Sequence, residues 1–301
     1  MEIKNFDQLI EQVKGYPSMK RMVIAAAGEE HTLEAALHAR KEGIARPILV
    51  GDKEKIMEIL QQLGEEVPQE DIYDVADNAQ AAAKAVELVR EGKGDFLMKG
   101  YLDTSVILKA VVNKETGLGK GKTMSHFTMF EVPGYHKILV AVDGGMIPYP
   151  TLEQKKDIIE NSVGVLHAYG YENPKVGVLA CVEKVNPKMP ETVEAAELAR
   201  MNKEGEITGC IVEGPISYDC AMDAEIAKLK GYESRVSGDV DVLVVPNIHA
   251  GNILGKTYTV TCKARMAGFI VGAKCPIVLT SRGSSADEKY MSIVVSAAAA
   301  E

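Results

Sequence analysis

Short apolar runs, rich in branched side chains, alternate with amphipathic stretches along nearly the whole chain. Neighbouring parallel strands need long crossovers, usually helices, so this alternation predicts an α/β fold with largely parallel sheets. The runs are apolar almost throughout, which indicates sheets covered on both faces. The predicted strands are Met22–Ala27, Pro47–Val50, Asp95–Met98, Lys137–Val142, Lys175–Ala180, Cys210–Val212, Asp241–Val245 and Pro276–Thr280. The predicted helices are His31–Lys41, Asp52–Leu63, Asn78–Glu91, Thr104–Asn113, Thr151–Tyr169 and Glu191–Lys203, with N-caps at Asp52, Asn78 and Thr151.

The overall composition excludes several classes of protein. A chain of 301 residues is long for one hydrophobic core, so two packed lobes are expected. No apolar run approaches the ~20 residues that cross a bilayer, and the first residues lack a signal core, which favours the cytoplasm. The net charge of -9 argues against nucleic-acid and membrane-surface partners. Five widely spaced cysteines predict reduced, buried thiols rather than disulfides or a zinc site, and no metal is expected.

The charge is unevenly distributed. From Val242 to Ala286 there is no acidic residue, whereas five cations lie inside this stretch: Lys256, Lys263, Arg265, Lys274 and Arg282. In an acidic protein this pattern predicts a site for a small anion. Buried strands without charges are the alternative, and they account for the apolar runs better than for the five cations.

A glycine-rich segment, Thr116–Thr123, resembles a nucleotide loop only superficially. A Walker A loop needs glycine where Thr116 stands, and it follows a strand rather than a predicted helix. No dinucleotide-binding glycine fingerprint follows any predicted strand either. The segment is therefore predicted to be a connection between the lobes.

The residues after the strand Asp241–Val245 could bind a phosphate group. They run from Asn247 to Lys256 and include Gly251 and Asn252. Ligands of open α/β sheets gather at the carboxyl ends of strands, where a glycine-rich turn into a helix offers free N–H groups. Lys256 is then expected about one helical turn beyond the anion. An ordinary strand, turn and helix is the alternative.

A second strand end carries more chemistry. Pro276–Thr280 leads directly into Ser281–Glu288, which offers hydroxyls, an arginine and two acids. The planar fork of Arg282 suits phosphate, and Gly283 allows close approach of the backbone. Ser285 and Glu288 have the spacing of a capping box, which explains these two residues without a ligand.

With these residues the chain resembles the phosphate acetyl/butyryltransferase family over nearly its whole length. The motifs that carry the resemblance are Met98-Lys99-Gly100, Ser125-His126, Tyr135-His136-Lys137, Asn186–Thr192, Glu213-Gly214-Pro215, Pro246-Asn247, Gly251–Ile253 and Ser281-Arg282-Gly283. The Met-Lys-Gly, Ser-His and Tyr-His-Lys elements are more similar to the butyryl branch than to the acetyl branch.

The resemblance implies a reaction and an architecture. The reaction interconverts a short-chain acyl-CoA plus phosphate with an acyl phosphate plus free CoA, with butyryl the expected acyl group. CoA is then a substrate, and no prosthetic group is required. The implied fold is two three-layer α/β lobes with an interlobe active-site cleft, as in isocitrate and isopropylmalate dehydrogenases. The expected domains are 1–120 plus 270–301 and 121–269, in a homo-oligomer built from dimers.

The resemblance also implies roles for single residues. Ser281 and Arg282 are expected to contact the CoA thiol and the acyl phosphate, and an acid just downstream, Asp287 or Glu288, to act as base. Because Glu288 already has a capping role, Asp287 is favoured. The residues expected to bind CoA or substrate are Lys99, Gly100, Lys109, Ser125, His126, Asn247, Gly251, Asn252 and Lys256.

Three other functions stay open from the sequence. The first is a phosphate acetyltransferase acting on acetyl-CoA. The second is a two-lobed, metal- and NAD-dependent hydroxy-acid dehydrogenase, which the acid-free stretch Val242–Ala286 disfavours because its metal needs acidic ligands. The third is a non-catalytic CoA- or phosphate-binding protein, for which Ser281, Arg282 and Asp287 would be superfluous.

Overall fold

The computed structural model describes residues 2–280 and 284–300. Helices and strands alternate along it, which confirms the predicted α/β class. The helices are α1 (Phe6–Lys14), α2 (Glu30–Lys41), α3 (Lys53–Leu63), α4 (Asn78–Arg90), α5 (Thr104–Val111), α6 (Leu152–Ala168), α7 (Pro190–Lys203), α8 (Tyr218–Met222), α9 (Ala224–Leu229), α10 (Ile248–Lys256) and α11 (Ala286–Ala299). The strands are β1 (Lys20–Ala25), β2 (Ala45–Gly51), β3 (Ile72–Asp74), β4 (Phe96–Lys99), β5 (Ser125–Glu131), β6 (Leu139–Val142), β7 (Lys175–Leu179), β8 (Ile211–Ile216), β9 (Val242–Val244), β10 (Arg265–Val271) and β11 (Ile277–Val278).

The chain forms two compact units. The central unit comprises Met1–Phe6 and Thr123–Met266, and the terminal unit comprises Asp7–Lys122 and Ala267–Glu301. The first residues join the central unit through the backbone of Ile3. Its N–H donates to the hydroxyl of Tyr171 at 2.9 Å, and its carbonyl accepts from the N–H of Ile138 at 3.0 Å.

In the terminal unit the strand order is β3-β2-β1-β4-β11-β10. All neighbours are parallel except β10 and β11, which are antiparallel. The carboxyl ends of β1, β4 and β11 therefore lie at one edge, and β11 leads from there towards residues 281–283. Helices α2 and α11 pack together on this sheet, because both present buried small and branched side chains to it.

In the central unit the strand order is β5-β6-β9-β7-β8. Strands β6, β9, β7 and β8 are parallel, and β5 runs antiparallel to β6. The fold is thus mostly parallel but mixed. No helix in the described part of the chain has the length and apolar character needed to cross a membrane.

Every predicted strand and helix is present, with shifted ends, but three strands were missed. These are β3, β5 and β10; β5 contains buried Ser125 and Thr128, so its apolar pattern is interrupted. Strand β11 is only two residues long, not five. The N-caps at Asp52 and Thr151 are confirmed, whereas Asn78 was the wrong cap. Asp77 caps α4 instead, because its carboxylate accepts from the N–H of Gln80.

A buried ammonium holds the amino ends of the central strands. Lys137 is 1% exposed, and its Nζ lies 2.7 Å from carboxylate oxygens of both Asp239 and Asp241. Burial alone would lower the pKa of Lys137, but these carboxylates outweigh it and raise the pKa. The preceding residues bind the same segment, since Tyr135 donates to the carbonyl of Val240 and His136 contacts Asp239. The Tyr-His-Lys run is therefore a structural element.

We expect Lys137→Met to lower the free energy of unfolding by about 3–5 kcal/mol, because it leaves the carboxylate of Asp241, itself 3% exposed, buried without its cation. Urea denaturation followed by circular dichroism measures the loss. Lys93→Met is the control, because Lys93 pairs with Glu91 on the surface, and it should leave the midpoint nearly unchanged. Equal midpoints for the two variants would contradict the structural role of Lys137.

Candidate active site

In the central unit, three segments meet at the carboxyl edge of the parallel strands. Val142 of β6 pairs with Val244 of β9, so the residues that follow these two strands emerge side by side. Strand β5 pairs Thr128 with Ala141, and its antiparallel direction brings its first residues to the same edge. His126, the loop after Val142 and the start of α10 therefore lie close together.

His126 is held tightly from two sides. Its Nδ1 lies 3.0 Å from Oγ1 of Thr128, and a Cβ built on Gly145 would lie 2.6 Å from the same nitrogen. The Asp143 carboxylate is 1% exposed and accepts from the N–H groups of Gly145 and Met146 at 2.8 and 2.9 Å. Burial lowers the pKa of His126, although the negative charge of Asp143 opposes this shift. The imidazole is therefore neutral near pH 7.

Ser125 differs from its neighbour His126. Successive side chains of a strand point to opposite faces, so the two residues cannot face one ligand on the same side of the sheet. Ser125 is 0% exposed, and its hydroxyl has no hydrogen-bond partner within residues 2–280 and 284–300. The structure thus presents His126, but not Ser125, towards solvent at this edge.

The segment after β9 differs from the predicted glycine-rich turn. Helix α10 begins directly after Asn247, whose side chain caps it by accepting from the N–H of Ala250 at 3.1 Å. Gly251 is therefore inside the helix, where a Cβ would lie 2.6 Å from Cα of Gly144. Asn252 is exposed. Lys256 is exposed in the last turn, about 12 Å along the axis from the start of the helix, so the predicted separation of one turn was wrong.

In the terminal unit, Lys99 and Gly100 lie at the carboxyl end of β4. The Lys99 side chain is buried, and its Nζ donates to the carbonyls of Leu102 and Gly100 at 3.2 and 3.4 Å. A Cβ on Gly100 would lie 2.3 Å from the carbonyl oxygen of Ala26, so only glycine fits there. The backbone approaches closely here, as the position of this glycine after a strand suggests.

The remaining predicted residues of the terminal unit lie on two helices. Lys109 is exposed in the last turn of α5, about 8 Å along the axis from its first residue. Asp287 and Glu288 are in the first turn of α11, and Asp287 is exposed. Ser281 and Arg282 lie outside the described residues.

The predicted capping box is half formed. The Ser285 hydroxyl caps α11 by accepting from the N–H of Glu288 at 3.1 Å. The Glu288 carboxylate accepts from the hydroxyl of Ser284 at 2.6 Å, so it has a partner in this segment other than the N-cap backbone. Glu288 therefore helps to shape the turn that leads into α11.

A further polar cluster lies at the carboxyl ends of β7 and β8, and the sequence analysis missed it. Glu183 and Asp219 both contact the Lys230 ammonium, at 2.9 and 2.8 Å, and both have a carboxylate oxygen within hydrogen-bonding distance of the Ser217 hydroxyl. Hydrogen bonds from Ser217 and Lys230 lower the pKa of Glu183 to about 2, and those from Lys230 and Ser217 lower the pKa of Asp219 to about 2. With Cys220 these acids have the spacing of metal ligands. Lys230 already neutralises part of their charge.

The thiols agree only in part with the prediction of buried cysteines. Cys210, Cys220 and Cys275 are buried, whereas Cys181 and Cys262 are exposed. Burial raises the pKa of Cys275 to about 12 and that of Cys210 to about 11, so neither forms a thiolate near pH 7.

Three residues beside His126 were also missed: Thr128, Asp143 and Gly145. A signal for two of them existed, because Asp143-Gly144-Gly145 follows a predicted strand directly and thus belongs at a carboxyl edge. Thr128 gave no such signal, because its relation to His126 depends on both residues lying on one face of a strand that was not predicted.

Known proteins are similar to this chain over nearly its whole length. The family described as phosphate acetyl/butaryl transferase matches residues 70–297. A phosphate butyryltransferase of Clostridium acetobutylicum is 44% identical over 98% of this chain and 98% of its own length. A phosphate acetyltransferase of Thermotoga maritima is 42% identical over 97% of this chain and 98% of its own length. The crystal structure of a branched-chain phosphotransacylase from Enterococcus faecalis V583 superposes with a TM-score of 0.81 at 31% identity, covering 94% of this chain and 100% of that one.

We expect Gly251→Ala to lower the free energy of unfolding by about 1–3 kcal/mol, because the new methyl group would overlap the backbone of Gly144. Gly164→Ala is the matched control. Gly164 is also inside a helix, α6, but a Cβ there meets nothing within 4 Å, so alanine should stabilise by up to ~1 kcal/mol. Thermal and urea denaturation of both variants measure the difference, and a stabilised Gly251→Ala variant would refute the close approach.

Proposed function

The chain belongs to the phosphate acetyl/butaryl transferase family, and on this premise we propose that it transfers a butyryl group between coenzyme A and inorganic phosphate. Acyl-CoA/phosphate transacylation is the reaction of the family, so the protein is a transferase. The observation that carries the choice of acyl group is the 44% identity, over 98% of both chains, to a phosphate butyryltransferase. CoA is proposed as a substrate, without a prosthetic group.

We further propose a direct transfer in which both substrates are bound together. A free thiol has a pKa near ~8.5, so a base is needed to take the CoA proton during attack on the acyl phosphate. The thiol sulfur then forms a bond to the carbonyl carbon, and phosphate leaves with the electron pair of the broken C–O bond. Arg282 is proposed to stabilise the charge that develops on the carbonyl and phosphate oxygens. The raised pKa values of Cys210 and Cys275 support a route without an acyl-cysteine.

Asp287 is the proposed base, and Ser281 is proposed to orient the thiol. Glu288 already accepts a hydrogen bond from the hydroxyl of Ser284 at 2.6 Å and shapes the turn into α11, and this structural role supports Asp287 as the base.

The binding residues are proposed in two groups. Lys99 and Gly100 would approach the substrates from the carboxyl end of β4, with Lys109 further along α5. His126, Asn247 and Asn252 would approach from the central unit, with Lys256 at the far end of α10 and Ser125 behind the strand. Gly251 would act through its packing against Gly144. The domain limits 1–120 plus 270–301 and 121–269, the dehydrogenase-like architecture with its cleft, the homo-oligomer and the cytoplasmic location stay predictions.

Phosphate acetyltransferase is the second candidate function. The relative from Thermotoga maritima bears that name and is 42% identical over 97% of this chain, nearly the identity of the butyryl-type relative. The two candidates differ in the acyl group and share the reaction.

We expect a higher kcat/KM for butyryl-CoA than for acetyl-CoA, because each extra buried methylene contributes about 0.8 kcal/mol if the pocket accepts it. A thiol-release assay with phosphate and a series of acyl-CoAs from two to six carbons measures this preference. Assays without phosphate provide the control for hydrolysis. A higher value for acetyl-CoA would transfer the chain to the acetyl branch, and no phosphate-dependent thiol release would refute the whole proposal.

Asp287→Asn should lower kcat with little change in the KM for CoA, and the loss should shrink at high pH, where CoA ionises without a base. Glu288→Gln should largely keep activity and cost at most ~1 kcal/mol of stability, because a glutamine oxygen can still accept from Ser284. Steady-state kinetics from pH 6 to 9 compares the two variants. The opposite outcome would make Glu288 the base.

A further inference from the structure

One ring nitrogen beside the candidate site has no hydrogen-bond partner among residues 2–280 and 284–300. Nδ1 of His126 contacts Oγ1 of Thr128, but Nε2 has no hydrogen bond to any residue that the structure describes. His126 is only partly buried at this edge, so water or a ligand can supply the hydrogen-bond partner of Nε2. Whether Nε2 is a hydrogen-bond donor or an acceptor therefore decides which ligand atoms can bind beside His126.

Thr128 decides which nitrogen carries the hydrogen. It follows His126 by two residues, so both side chains lie on one face of β5. Thr128 is 6% exposed, and the only acceptor for its hydroxyl hydrogen within the described chain is Nδ1 of His126. The reverse arrangement, with Nδ1–H donating to Oγ1, would leave the hydroxyl hydrogen buried without an acceptor. The hydroxyl therefore donates to Nδ1, and the neutral ring carries its hydrogen on Nε2.

The ring is also fixed in place. Gly145 packs so closely against it that a Cβ would lie 2.6 Å from Nδ1 and 3.1 Å from Cγ. The charged group that acts on the ring is Asp143, and its carboxylate already accepts from three backbone N–H groups, those of residues 145 to 147. Asp143 thus acts on the ring through its negative charge, which favours the protonated form, and not through a hydrogen bond.

We propose that Thr128 is a positioning residue: it holds His126 as the neutral Nε2–H tautomer, so that Nε2 donates a hydrogen bond to an oxygen of the acyl phosphate. This proposal rests on the proposed acyl transfer. A neutral donor stabilises negative charge developing on oxygen without giving up its proton to the leaving phosphate. Thr128 itself does not touch the substrate in this arrangement, and its hydroxyl acts through the hydrogen bond to His126.

The tautomer can be observed without any substrate. Nitrogen-15 NMR of protein labelled at histidine should show His126 with hydrogen on Nε2, and His126→Gln identifies its signals. Thr128→Val, which keeps the shape and removes the hydroxyl, should move the ring towards a mixture of tautomers and raise its pKa. Thr128→Ser should keep the wild-type spectrum. Hydrogen on Nδ1 in the wild type, or an unchanged spectrum in Thr128→Val, would overturn the proposal.

Kinetics tests the link to the reaction. Thr128→Val should lower kcat at pH 7 by about tenfold, as expected for one misplaced hydrogen bond, with a larger loss at pH 6, where its ring becomes protonated. Thr128→Ser should restore kcat to within about threefold. Equal losses in both variants, with the same pH profile as the wild type, would indicate a merely structural role and overturn the proposal. Absence of transfer by the wild type would instead refute the proposed function, and the role of Thr128 in that reaction with it.

Discussion

The buried ammonium of Lys137 is the constraint on which the central unit depends. It binds the carboxylates of Asp239 and Asp241 at the amino end of β9, while Lys137 itself leads into β6. Because β6 and β9 are parallel, fixing their amino ends in register also fixes where their carboxyl ends emerge. The loop at Asp143 and the cap at Asn247 are thereby set opposite each other, one strand length away from the charges that align them.

The amino and carboxyl ends of β6 and β9 differ in how their polar groups are paired. At the amino ends, oppositely charged side chains pair with one another: the Lys137 ammonium lies 2.7 Å from carboxylate oxygens of both Asp239 and Asp241. At the carboxyl ends, the Asp143 carboxylate is paired with backbone N–H groups, and the neighbouring imidazole of His126 is partly exposed and can make contacts outward. A motif found by resemblance can belong to either end, and the Tyr135-His136-Lys137 run belongs to the first.

Much of the fold, and part of the candidate site, could be predicted from the local pattern of apolar and polar residues. Apolar runs located eight strands, the rule that ligands gather at carboxyl ends directed attention to the segment from Asn247 to Lys256, and the family resemblance directed attention to Lys99 and Gly100. The misses have a common physical cause, which is contact between distant segments. Gly251 lies inside helix α10, which begins at Ile248, and it packs against Gly144, more than 100 residues earlier, a contact that the local sequence does not reveal. Thr128 was invisible because its strand has polar residues in buried positions, and only the folded strand face pairs it with His126.

The contact between Gly144 and Gly251 is reciprocal, since a Cβ on either residue would come within 3.0 Å of the backbone of the other. A large side chain that overlaps a neighbour can normally be accommodated when that neighbour mutates to something smaller. Neither position has this remedy, because glycine is already the smallest residue. Every change of a glycine codon that alters the amino acid adds side-chain atoms, so no second mutation at the partner can restore the fit. Substitution is therefore disfavoured at both positions at once. The close approach of the two backbones at this edge is expected to persist even where the surrounding side chains change.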